Sequence, residues 1–137
     1  MDNPEDNSSK SLPHGEIVMR TIAMPSDSNG NGDIFGGWLM SQMDIGGAVL
    51  ARSIARGRVA TVAADSMSFV SPVAVGDVVT CYARLVSIGR SSMKIDIDAW
   101  VQRFKTNELR RVTEGVFTYV AIDENGRPRP VPDQKQG

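Results

Sequence analysis

The stretch from Gly32 to Asp44, Gly-Asp-Ile-Phe-Gly-Gly-Trp-Leu-Met-Ser-Gln-Met-Asp, constrains this chain more than any other. It reads as a glycine turn opening into a helix that runs from Gly37 to about Ala55. Trp38, Leu39, Met40, Met43, Ile45, Val49, Leu50 and Ile54 spread apolar surface over every face of that helix, so other structure is expected to wrap it. Asp44 is a carboxylate inside this apolar run, and a charge in such a place needs a partner or a chemical role. A salt bridge to an arginine such as Arg52 is the plain structural alternative.

The remaining pattern is mostly strand. Glu16 to Met24 alternates loosely and ends at Pro25; Val59 to Phe69 is rich in Val, Thr and Ala and halts at Ser71-Pro72; Val78 to Val86 follows a Gly76-Asp77 turn. Met93, Ile95, Ile97, Ala99 and Val101 alternate with Lys94, Asp96, Asp98, Trp100 and Gln102, which predicts one buried and one wetter face. Val112 to Ile122 supplies a fifth strand. Gly57, between Arg56 and Arg58, is expected to cap the helix in the left-handed conformation. Four strands at hairpin spacing cannot make parallel crossovers, so the fold class is α+β, a largely antiparallel sheet of about five strands with one long helix. One helix covers one face of such a sheet, and a second copy of the chain is the natural cover for what remains.

Several classes of function are disfavoured. With 137 residues, 41% of them apolar, the chain is one domain's worth and buries about two-thirds of its unfolded surface. A net charge of −1 and scattered basic residues argue against a nucleic-acid partner. The single cysteine, Cys81, permits no internal disulfide and fits a reducing compartment. No run of about 18 apolar residues is present to span a membrane, and the first residues lack the pattern of a signal peptide, which places the chain in the cytoplasm. Residues 1–14 have almost nothing to bury and are expected to be disordered, as is the Pro-rich end from 128 to 137. The only histidine, His14, lies in that lead with nothing to hold it, which removes histidine-dependent triads. Asp27 to Ile34 matches the first eight positions of a calcium loop, but Trp38 stands where a bidentate Glu should close it, and a strand rather than a helix precedes it. No metal or cofactor site is expected. Gly30, Gly32 and Gly36 have the wrong spacing for a dinucleotide fingerprint.

Three motifs occur in order: Asn29-x-x-Gly32-x-x-Phe35-Gly36-Gly37-x-Leu39-Met40-x-x-Met43-Asp44, then Phe69-x-x-Pro72-Val73-x-x-Gly76-Asp77, then Gly89-x-Ser91-Ser92. From Ile17 to Arg127 the chain resembles the hotdog-fold acyl-CoA thioester hydrolases of the YciA type. The resemblance implies a hotdog domain over residues 15–127, a long central helix wrapped by a curved antiparallel sheet. It also implies dimers joined through their sheets and assembled as a trimer of dimers, and hydrolysis of acyl-CoA to a free acid and CoA. A non-catalytic hotdog module that binds acyl thioesters as a sensor or scaffold is the alternative.

Thioester hydrolysis needs an activated water or a direct nucleophile, and donors where the carbonyl oxygen becomes negative. The chain has no Gly-x-Ser-x-Gly elbow, so Asp44 is the candidate base or nucleophile. The free amides near Gly36 and Gly37 at the helix N-terminus are the candidate oxyanion donors. Asp44 lies eight residues after Gly36, roughly 12 Å along the helix at about 1.5 Å per residue, too far to act on one carbonyl carbon. The two are therefore expected to serve one site from two subunits. Asn29 matches the family's motif asparagine and is the candidate for positioning the water or thioester, with Asn31 as the second choice. For the phosphates of CoA, Arg90, Ser91, Ser92 and Lys94 form the expected anion site, with Arg56 and Arg58 after them.

Overall fold

The computed structural model describes residues 12–65 and 67–134. Five strands, β1 (Glu16–Ile22), β2 (Val59–Ala64), β3 (Val78–Ile88), β4 (Ser92–Gln102) and β5 (Leu109–Ala121), make one sheet in the order β1-β3-β4-β5-β2. Every neighbouring pair is antiparallel. The single long helix, α1 (Gly36–Ala55), lies across one face of the sheet. This is the hotdog arrangement, and β1 and β2 are its two edges.

The helix sits close to the sheet because two small residues allow it. A Cβ on Gly46 would come within 2.9 Å of Val18 Cγ2, and one on Gly47 would collide with the Tyr119 hydroxyl and with Ile97. Leu39, Met43, Ala51, Ile54 and Ala55 of α1 bury against Ile95, Ile97, Ala99, Val79 and Tyr119 of the sheet, which is the chain's core.

The helix is not wrapped on all sides. Met40, Ile45 and Val49 are 37%, 52% and 53% exposed, because the sheet has only one helix-bearing face and these residues lie away from it. The left-handed cap is Arg56 (φ 57°, ψ 45°) rather than Gly57. Gly57 instead leaves space for Arg129: a Cβ there would stand 2.7 Å from its guanidinium, which donates to the Ala55 carbonyl at 2.9 Å.

The end of the chain, expected to be loose from residue 128, is tied down through residue 134. Arg129 and Val131 donate backbone N–H groups to Ala121 and Arg90, and the Gln134 side chain donates to Ile54 at the helix's last turn. The last of these bonds satisfies a carbonyl that the helix leaves open. Residues 135–137 and, of the expected disordered lead, residues 1–11 lie outside the described residues.

Strand β2 stops at Ala64 instead of reaching Phe69. Beyond it the connection touches β5 only at intervals, through Asp65 N–H to Val116 and Val70 N–H to Val112. The alternation in β4 also holds only in part: Asp96, Asp98 and Trp100 on the outer face are 5%, 0% and 3% exposed. Their charges are paired with groups from β3, β5 and the segment before β1, which removes them from water.

Candidate active site

The helix is positioned at its N-terminus by a network of turns. A 3-10 turn at Pro25–Asp27 ends β1's exit, the Asp27 carboxylate accepts from Met24 N–H, and Asn29 Oδ1 accepts from Asn31 N–H at 2.9 Å. Two of the side chains that mimic a calcium loop, Asp27 and Asn29, are thus spent on turn hydrogen bonds. Ile34 N–H donates to the Val73 carbonyl and Asp33 bridges to Ala74, so the second motif supports the helix start. Buried Asp77 fixes that support by accepting from Ala74 N–H and from Arg103 Nη1 at 2.7 Å.

Phe35 is the N-cap and offers no side-chain cap. The amides of Gly36 and Gly37 have no acceptor among the described residues, and a Cβ on Gly37 would meet nothing within 4 Å. The chain's own packing therefore does not demand a glycine at that position. Beside these amides lies a cleft of about 220 Å³ lined by Phe35, Leu39, Phe69, Val73 and Val112. It is apolar at its walls and has the positive end of the helix at its mouth.

Asp44 lies two turns further on. Its carboxylate accepts from Thr61 Oγ1 at 2.7 Å and from the Tyr119 hydroxyl at 3.2 Å, and the same hydroxyl reaches the Asp44 carbonyl at 2.8 Å. Thr61 and Tyr119 face each other across β2 and β5, so one register position delivers both hydroxyls to one carboxylate. Burial, then the charge of Asp44, pushes the Tyr119 hydroxyl well above its usual range, which keeps it a donor. Asp44 is only half-buried and lies next to β2, an open edge of the sheet. The alternative pairing with Arg52 does not occur; hydroxyls hold the carboxylate instead.

Asn29 is exposed in the loop before the helix, with Oδ1 occupied by the turn and the Nδ2 donor left over. Asn29, Gly36 and Gly37 therefore lie at one end of the helix, while Asp44, Thr61 and Tyr119 sit halfway along it.

Among the expected phosphate ligands, the structure brings Arg90 and Ser91 together with Pro128, Arg129 and Pro130 around a cleft of about 230 Å³. Ser92 and Lys94 start β4 and do not line it, and Arg58 donates to the carbonyls of Asp123 and Glu124. Arg56 caps the helix beside the same end of the molecule. Thr61, Tyr119 and Arg129 carry no sequence signal of their own, although Arg127-Pro128-Arg129-Pro130 marks a basic, stiff segment.

A sequence model of the thioesterase superfamily matches residues 31–104. The YciA acyl-CoA thioester hydrolase of Salmonella typhimurium is 58% identical over 125 residues, spanning 89% of this chain and 94% of that protein. The chain belongs to the YciA-type acyl-CoA thioester hydrolases of the thioesterase superfamily. Two solved structures extend the likeness. The hexameric thioesterase y2039 of Yersinia pestis is 59% identical, with a TM-score of 0.86 over 89% of this chain and 100% of that one. HI0827, a hexameric broad-specificity acyl-coenzyme A thioesterase, is 54% identical, with a TM-score of 0.86 over 90% of this chain and 86% of that one. In this YciA-type chain, Thr61→Val removes a hydroxyl that donates to the Asp44 carboxylate and keeps the side chain's shape. Steady-state kinetics are expected to give a kcat lower by roughly tenfold at nearly unchanged KM, the value of one hydrogen bond to a charged group.

Proposed function

We propose that this chain hydrolyses acyl-CoA thioesters to a carboxylic acid and CoA, at sites shared between two subunits of a homo-oligomer. The observation that carries the proposal is a half-buried carboxylate, Asp44, held by two hydroxyls beside an open sheet edge in a member of this family. A second copy pairing along β2 continues the sheet and covers Met40, Ile45 and Val49. It also brings its own helix N-terminus towards Asp44, which the 12 Å span within one helix makes necessary (roughly eight residues at 1.5 Å). A trimer of such dimers agrees with the hexamers formed by y2039 and HI0827.

In the site so formed, the thioester carbonyl oxygen lies on the Gly36 and Gly37 amides of one subunit, with Asn29 Nδ2 beside it. Asp44 of the other subunit acts on the carbonyl carbon. As a base it takes a proton from the attacking water; the tetrahedral intermediate then expels the CoA sulfur, and Asp44 returns the proton to it. As a nucleophile its carboxylate adds to the carbonyl carbon and expels CoA as the thiolate, forming an acyl-aspartate anhydride that water opens in a second step to the free acid and the Asp44 carboxylate, the released proton passing to the thiolate. Either route uses the same residues, and neither draws on a cofactor. The CoA phosphates lie on Arg90, Ser91 and Arg129, and the buried free thiol of Cys81 fits a cytoplasmic enzyme.

Release of free thiol from a series of acyl-CoA esters of increasing chain length tests the reading, and absence of turnover on every ester would overturn it. In the same assay Arg90→Ala is expected to raise KM by roughly tenfold and to leave kcat within about twofold, because a phosphate contact binds ground and transition states alike. An unchanged KM would remove Arg90 from the phosphate site.

A further inference from the structure

The outer face of the sheet, opposite the helix and Asp44, carries a cluster that the thioesterase reaction does not use. His14 does not hang free in the lead: its Nε2 lies 3.1 Å from Asp96 Oδ2 and 2.9 Å from Glu114 Oε2, and its Nδ1 lies 3.8 Å from Asp98 Oδ2. Asp96 and Asp98 are alternate residues of β4, and Glu114 stands opposite Asp98 on β5, so the pleat puts three carboxylates on one face.

Among the described residues, two arginines also meet that charge. Arg111 clamps both oxygens of Asp98, at 2.7 and 3.0 Å. Arg84, 58% exposed, reaches Asp96 Oδ2 at 3.3 Å. Asp96 Oδ2 and Glu114 Oε2 thus converge on the same imidazole nitrogen. A single Nε2 has one proton at most and cannot make two linear hydrogen bonds with it.

We propose that His14 Nε2, Asp96 Oδ2 and Glu114 Oε2 form a site for one divalent cation of the zinc class on the outer face of the sheet. The three ligand atoms lie within 4.8 Å of one another. Bonds of about 2.0–2.2 Å from a tetrahedral ion set its ligands roughly 3.3–3.5 Å apart, so the observed 2.9 and 3.1 Å open by a few tenths of an ångström while the two carboxylate oxygens, within 4.8 Å of each other, settle on the ion. His14 is in an irregular segment that can give by that amount. A second feature, outside the triad, points the same way. The other imidazole nitrogen lies 3.8 Å from Asp98, a fully buried carboxylate held by Arg111, so a shift of roughly half an ångström gives the carboxylate-to-imidazole bond that orients a ligating histidine and makes it basic. One imidazole and two carboxylates suit Zn²⁺ among the first-row ions, with water in the fourth position. The ion would brace the segment before β1 against β4 and β5, remote from the reacting carbonyl.

The test uses the full chain in its native oligomer, stripped with EDTA and titrated with Zn²⁺ by calorimetry. The expected result is one Zn²⁺ per chain with micromolar or tighter Kd. His14→Gln and Glu114→Gln should each weaken it tenfold or more and leave acyl-CoA hydrolysis unchanged. His14 is the only histidine, so that loss assigns the site. Absence of saturable uptake near one per chain, or uptake that His14→Gln does not alter, overturns the proposal.

Discussion

Asp44→Asn is expected to lower kcat by about 10³-fold while the protein keeps its fold and its oligomeric state. The amide keeps an oxygen where Thr61 Oγ1 and the Tyr119 hydroxyl donate, so the local structure has no reason to shift. What disappears is the ability to take a proton or to attack carbon. Thiol-release kinetics give the loss of rate, and size-exclusion chromatography with circular dichroism checks that the assembly is intact. A structural carboxylate would give the opposite outcome, with little change in rate and a lower unfolding temperature, because its contribution would lie in the hydrogen bonds.

Gly47→Ala carries the largest expected effect on stability. A methyl group at this position collides with the Tyr119 hydroxyl and the Ile97 side chain, both from the sheet beneath the helix. Helix propensity favours alanine over glycine by about 1 kcal/mol. Overpacking a tight core costs about 1–3 kcal/mol and sometimes more. Pushing Tyr119 away also breaks its bond to the Asp44 carbonyl, about 1 kcal/mol, and its contact with the carboxylate. The unfavourable terms win, so the net change is a destabilisation of about 2 kcal/mol and a fall in Tm of at least about 5 °C. Calorimetry measures that fall, and kcat should decrease with it because the same hydroxyl orients Asp44. A higher Tm in Gly47→Ala would mean that helix propensity outweighs the collision.

The helix was legible in the sequence because its apolar run and flanking glycines leave few alternatives, and its observed start differs from the expected one by a single residue. The five strands and their antiparallel pairing followed from alternation and short connections. Asp44 stood out because it is a charge in an apolar setting. Thr61 and Tyr119 did not stand out, since their meeting depends on the register between β2 and β5, strands separated by β3 and β4 in the chain. Local pattern carries no information on such a pairing. The cap at the helix end was assigned to Gly57 on conformational preference, but the demand there is for space, made by an arginine more than seventy residues away. The outer face of β4 read as wet because it is charged. From Asp96 to Trp100 it is dry because His14, Arg84 and Arg111 meet those charges from three other segments, a balance that period-two alternation cannot reveal.

The central claim is that each active site combines Asp44 of one subunit with the helix N-terminus of another. It can be tested by mixing two inactive variants. Asp44→Asn removes one half of every site. Asn29→Asp keeps the oxygen that accepts from Asn31 N–H but loses the Nδ2 donor, which damages the other half without disturbing the turn. Co-expression with two affinity tags and sequential purification isolates oligomers that contain both. In a mixed dimer the shared-site arrangement yields one doubly damaged site and one intact site, so thiol release should recover to between a quarter and a half of wild-type activity per chain (roughly one site in two, diluted by like-with-like pairs). Mixed oligomers no more active than the two parents would contradict the account, because that result requires Asp44 and Asn29 to act within a single subunit.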